Sequence, residues 1–218
     1  MVEIYDSHEQ SERVKGWLRE NGSAIVIGLA LAFGGLFGFK QWQTWEQGKA
    51  RRASAEYSVM VELLDSEQLD AAVANYETLK EQFPRSNYTS LAALRMAAAR
   101  VQAGQAELAV GLLEHAMANA EPPPLRVIAR ERLARLKLDL GEPEAALALL
   151  DAAPSTTGFE SRFAEIRGDV LLAQGFPDQA ADEYRRALEL QDTGVGFRGL
   201  LQMKLEALGG SVEAETGS

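Results

Sequence analysis

Residues 132–153, RLARLKLDLGEPEAALALLDAA, and residues 166–187, IRGDVLLAQGFPDQAADEYRRA, place the same landmarks 34 positions apart. Ala134, Gly141, Ala146, Leu150 and Ala153 of the first stretch become Gly168, Gly175, Ala180, Tyr184 and Ala187 of the second. Residues 95–116, RMAAARVQAGQAELAVGLLEHA, carry Ala97, Gly104, Ala109, Leu113 and Ala116, 37 positions ahead of the next set. The excess of three falls where Pro122, Pro123 and Pro124 lengthen a loop. Each unit reads as two helices and a tight turn. The first small residue lets the helices touch, the glycine supplies a left-handed turn, and the large residue after the second alanine fills the space between them. Such a hairpin cannot bury its apolar face alone, so neighbouring units must stack into one continuous core.

The spacing resembles that of tetratricopeptide repeats, and the expected fold is an all-α solenoid. A fourth, weaker unit lies upstream, with Ala72, Tyr76 and Pro84 at the expected offsets. Met60 and Glu67 stand there where a small residue and a glycine are the rule. Helices are predicted over 46–65, 69–83, 87–103, 105–119, 125–140, 143–152, 159–174 and 177–190. A closing helix is predicted over about 196–208, where Leu200, Leu201, Leu205 and Leu208 form an apolar stripe that caps the last repeat. The repeat domain is thus expected over 46–208, with a disordered tail over 209–218.

Ahead of the repeats, NGSAIVIGLALAFGGLFGF runs from Asn21 to Phe39 without a charge, between Glu20 and Lys40. As a helix it reaches roughly 29 Å, close to the ~30 Å hydrocarbon thickness of a bilayer. Trp17 before it and Trp42 and Trp45 after it stand where an aromatic belt would lie. A single N-terminal transmembrane helix over 21–39 is therefore expected, behind a short leader, 1–20. Two other readings compete with it. A cleaved signal has Ala30-Leu31-Ala32 as its small-residue site, but Phe33, Leu36, Phe37 and Phe39 would remain beyond the cut. A buried core helix would rarely be apolar all round for so long. Gly28 and Ala32 on one face, and Gly34 and Gly38 on another, are candidates for close packing against another membrane helix. Orientation is not given by charge: Arg13, Lys15 and Arg19 precede the run, and Lys40, Lys49, Arg51 and Arg52 follow it.

The net charge of −10, carried almost wholly from Glu46 onward, argues against nucleic acid as the main partner. The chain has no cysteine and two histidines, His8 in the leader and His115 on a repeat helix. No metalloprotease, phosphate-loop, dinucleotide-binding or nucleophile-elbow motif occurs. The carboxylates fall on polar helix faces, where solvation accounts for them. Neither catalysis, a cofactor nor a metal is expected.

A repeat array offers instead an inner surface lined by the first helix of each hairpin. The repeat frame assigns to it Tyr57, Val61 and Leu64, then Leu94, Ala98 and Val101. Ile128, Glu131, Arg135, Leu138 and Asp139 follow, and then Arg162, Glu165, Asp169 and Leu172. The lining is apolar in the first two units and charged in the last two, suited to a peptide or partner protein with groups of both kinds. It is equally open to being filled from within by the closing helix or its neighbours. The basic cluster by which some such domains clamp a C-terminal carboxylate is absent from it.

The leader EIYDSHEQSERVKGWLRENGSAIVIG and the terminal LLQMKLEAL resemble the YfgM family, ancillary subunits of the bacterial SecYEG translocon. The resemblance runs from Glu3 to Leu208. It implies an inner-membrane protein with its N-terminus in the cytoplasm and its repeats in the periplasm. It further implies association with the SecYEG translocon and a membrane-anchored periplasmic chaperone, and help in passing unfolded, translocating polypeptides to that chaperone network. A tethered scaffold for envelope assembly, and a regulator with its repeats facing the cytoplasm, are the alternatives.

Overall fold

Four left-handed residues punctuate the chain at the predicted turns: Glu67 (φ 59°), Gly104 (φ 72°), Gly141 (φ 76°) and Gly175 (φ 83°). The computed structural model describes residues 7–153, 158–191 and 197–209, and among them finds helices and no strand. These are α1 (Ser7–Asp65), α2 (Leu69–Gln82), α3 (Asn87–Gln102), α4 (Ala106–Asn119), α5 (Pro124–Asp139), α6 (Pro143–Asp151), α7 (Glu160–Ala173), α8 (Pro177–Glu189) and α9 (Arg198–Ala207). The boundaries of α2 to α9 fall within two residues of the sequence reading. At each turn the same pair of backbone bonds closes the first helix. In the last repeat the N–H of Phe176 donates to Leu171 at 2.9 Å, and that of Gly175 to Leu172 at 3.0 Å. In the first, the N–H of Gln68 donates to Leu63 at 2.8 Å, and that of Glu67 to Leu64 at 3.0 Å. This arrangement demands a left-handed residue at the helix exit. Proline at the first helical position then starts α5, α6 and α8, where its missing N–H costs nothing.

The hairpins are α1/α2, α3/α4, α5/α6 and α7/α8, and consecutive pairs stack, with α3 beside α5 and α5 beside α7. The backbones come together most extensively in α7/α8, where Gly168 stands, and less in α3/α4 and α5/α6, where Ala97 and Ala134 stand. In α1/α2 the position is Met60, wholly buried in one cluster with Ala72 and Tyr76. Three apolar clusters run along the stack, the last made of Ala180, Tyr184 and Ala187 of α8 with Leu201 and Leu205 of α9. The closing helix therefore covers the last repeat, as its stripe predicts.

The chain divides into two units, Met1–Arg52 and Ala53–Ser218. The stretch KQWQTWEQGKARRAS within α1 contains no proline. In the first unit, among the described residues, the apolar run is exposed, with Leu31 72% and Phe37 73% accessible and nothing within 4 Å of a β-carbon built on Gly28, Gly34 or Gly38. Trp17, Trp42 and Trp45 are exposed as well, and Lys49 Nζ lies 3.4 Å from the Trp45 ring centroid. Among the described residues no single straight helix is long and apolar enough to cross a membrane. Lys15–Ala24 and Val26–Asp65, meeting at a 44° bend, reach that length and composition together. The start of the leader and nearly all of the expected tail lie outside the described residues.

Candidate functional site: an apolar groove and a sealed ionic face

The inner face of the second unit separates into two regions of different chemistry. The first is an open groove of about 600 Å³ between α1, α3 and α5, within the ~300–1,000 Å³ of ordinary ligand sites. Of the residues that the sequence reading assigns to the inner face, Tyr57, Leu94, Ala98, Val101, Ile128, Arg135 and Asp139 line it. Val101 remains 42% exposed. Its placement follows from helical spacing: Leu91, Leu94, Arg95, Ala98, Val101 and Gln102 form one stripe of α3. Leu125, Ile128, Arg132, Arg135 and Asp139 form the facing stripe of α5.

The second region is filled. Glu131 and Glu165, each 5% exposed, lie among three cations. Arg135 Nη2 is 3.1 Å from Glu165 and its Nε 3.7 Å from Glu131, while Arg162 Nη1 is 3.3 Å from Glu131. Lys204 comes from the closing helix, with its Nζ 2.8 Å from Glu165 Oε1 and 2.7 Å from Asp169 Oδ1. Tyr184 donates to the same Asp169 oxygen at 2.7 Å. Phe197 lies 5.3 Å from the Arg162 guanidinium and, with Leu200, leaves a small recess of about 240 Å³. Burial alone would raise the Glu165 pKa. The Lys204 hydrogen bond and the charges of Arg135 and Lys204 outweigh that and hold the carboxyl below its ordinary value. Burial, and then the Asp169 carboxylate, push the Tyr184 hydroxyl upward. These carboxylates are acceptors already supplied with donors, so the charged half of the inner face has few unmet groups to offer a ligand.

Of the other residues assigned to the lining, Val61, Leu64 and Leu138 are half-buried and pack against the core clusters. Leu172 is exposed outside both regions, 42% accessible. The closing helix does fill part of the inner face, but it covers the charged half and leaves the apolar half open. Sequence reasoning missed Arg95, Arg132 and Lys204. The first two sit at helical spacing from Leu91 and Leu125, a signal that was available. His115 is exposed on α4, its Nδ1 3.3 Å from Asn119 Nδ2.

The sequence profile of the tetratricopeptide repeat-like domain matches residues 15–210. The chain belongs to that family. Two full-length relatives carry the name ancillary SecYEG translocon subunit. The Escherichia coli (strain K12) protein is 29% identical over 208 residues, covering 95% of this chain and 99% of its own. That of Neisseria gonorrhoeae is 28% identical over 209 residues, covering 95% and 100%. The resemblance read from the leader and the closing helix therefore holds along the chain. Among solved structures, one titled as the functional characterisation of Pseudomonas aeruginosa pilF superposes with a TM-score of 0.58 at 18% identity, covering 74% of this chain and 69% of that one. At that identity it bears out the tetratricopeptide fold alone.

Proposed function

We propose that this protein is a non-enzymatic, membrane-anchored subunit that binds proteins beside the Sec translocon and helps hand translocated polypeptides to periplasmic chaperones. The observation that carries the reading is the end-to-end match to relatives named as ancillary subunits of that translocon. Two features of the chain support it. The run from Asn21 to Phe39 exposes apolar side chains on all sides, which lipid or other membrane helices would cover. The groove between α1, α3 and α5 stays open, and offers an apolar segment a place to dock. In this reading residues 1–20 lie in the cytoplasm, 21–39 span the inner membrane with Gly28, Ala32, Gly34 and Gly38 available to a neighbouring helix, and the repeats stand in the periplasm. The partners are SecYEG, a membrane-anchored chaperone and unfolded chains in transit.

Affinity purification of the tagged full chain in mild detergent tests the association. Translocon subunits are expected among the co-purifying proteins; their absence beside envelope-assembly enzymes would overturn the reading. Protease added to spheroplasts tests the orientation, with digestion of the repeats expected and their protection contrary to it.

A further inference from the structure

The groove is apolar at its floor but not neutral: Arg95, Arg132 and Arg135 line it against one carboxylate, Asp139. In a chain of net charge −10 that local excess of cations needs a reason. Arg135 is engaged with Glu131, Glu165 and Asp169. Arg95 faces Asp65 at 3.5 Å, but the two side chains are 52% and 64% exposed, a pairing that water and salt weaken easily. Arg132 has no carboxylate within ion-pairing distance among the described residues. Its one hydrogen-bond partner among the described residues is the backbone oxygen of Leu94, 3.3 Å from Nη1, so most of its five N–H donors are left to solvent or a ligand. Leu94 and Ile128 lie on the same lining, so these donors stand beside apolar surface that would exclude water when covered.

We propose that the groove selects apolar protein segments that carry an acidic side chain, with Arg132 reading the carboxylate and Arg95 supporting it. The proposal rests on the groove being the binding surface, and it adds the chemistry of what is bound. An apolar segment with a carboxylate meets a fork of donors that can grip both of its oxygens. A segment with lysine in the same place brings a second cation to a cationic site and is rejected.

The test uses the full chain in phosphatidylcholine nanodiscs, with empty discs as the blank. Three labelled twelve-residue peptides, rich in leucine and valine, differ only in a central Glu, Gln or Lys, and binding is followed by fluorescence anisotropy. The Glu peptide is expected to bind roughly tenfold more tightly than the Gln peptide, as one charge-assisted hydrogen bond implies, and the Lys peptide most weakly. Arg132→Gln should erase the Glu-over-Gln preference, and Arg132→Lys should restore part of it. Val101→Glu should abolish binding of all three, with circular dichroism confirming that each variant stays folded. Equal affinities for Glu and Gln peptides, lost together on Val101→Glu, would overturn the acidic preference and leave the groove standing. No binding by any peptide, or binding indifferent to Val101→Glu, would overturn both.

Discussion

A β-carbon placed on Gly168 would overlap Cε1 of Tyr184, so the smallest residue of α7 is matched to the largest fully buried side chain among the described residues. The same positions hold Ala134 with Leu150 and Ala97 with Leu113 in the preceding repeats, a pairing of larger with smaller. Gly168→Ala is therefore expected to destabilise by about 2–3 kcal/mol, since the wedged ring has no room to turn away. Tyr184→Leu placed with it recreates the pair used by the third repeat and should recover most of the loss. Urea unfolding followed by circular dichroism measures both. A neutral Gly168→Ala would show that the hairpin opens at little cost.

Glu67 occupies the left-handed position that glycine fills in the next three repeats. A side chain there costs about 1–2 kcal/mol, while glycine's greater freedom in the unfolded chain returns about 0.5–1. Glu67→Gly should thus stabilise by about 0.5–1 kcal/mol, and Gly141→Ala should destabilise by a similar amount. Thermal melts of the two variants check the opposite signs.

Lys204 ties the closing helix to α7 through Glu165 and Asp169. Removing its charge by Lys204→Met leaves two carboxylates facing each other with Arg135 as the remaining cation. A loss of about 3 kcal/mol is expected, at the low end for a broken buried pair because Arg135 stays in place. Hydrogen exchange should show the amides of α9 opening first.

Acid sensitivity follows from the same network. The Glu165 carboxyl is held below its ordinary 4.5 in the folded chain, and the unfolded chain has no such network. Its contribution is fully present above about pH 4.5 and disappears as pH falls through the lower folded value. Stability should therefore drop steeply below pH 4.5, and Glu165→Gln should lower stability at neutral pH while flattening that acid limb. An acid limb identical in the two proteins would assign the sensitivity to other carboxylates.

The hairpins were legible because their landmarks are local: a glycine at each turn and small residues at fixed offsets mark the packing face directly. The inner face is one step removed. A frame drawn from landmarks on the packing side locates the opposite face only to within one position, or about 100° around a helix. Glu131 and Leu138 consequently turn toward the next repeat, and Arg132 toward the groove. The seal made by Lys204 was beyond such reasoning, because its partners lie 39 and 35 residues away and nothing beside Lys204 in sequence marks them. Met60 and Glu67 mark the first repeat as divergent, and the structure gives the divergence its form: a large side chain buried where the later repeats have a small one, and a non-glycine residue at the left-handed exit.

The central claim is that the open half of the inner face is where this protein meets others at the translocon. Photoreactive side chains installed singly at Val101 and Ile128 in the full chain, in cells exporting protein, test it most directly, with Leu108 on the outer helix α4 as the comparison. Adducts to a translocon subunit, its chaperone or a translocating chain from Val101 and Ile128, and few from Leu108, are the predicted result. Adducts to those proteins from Leu108 alone, with the groove positions silent, would contradict the account.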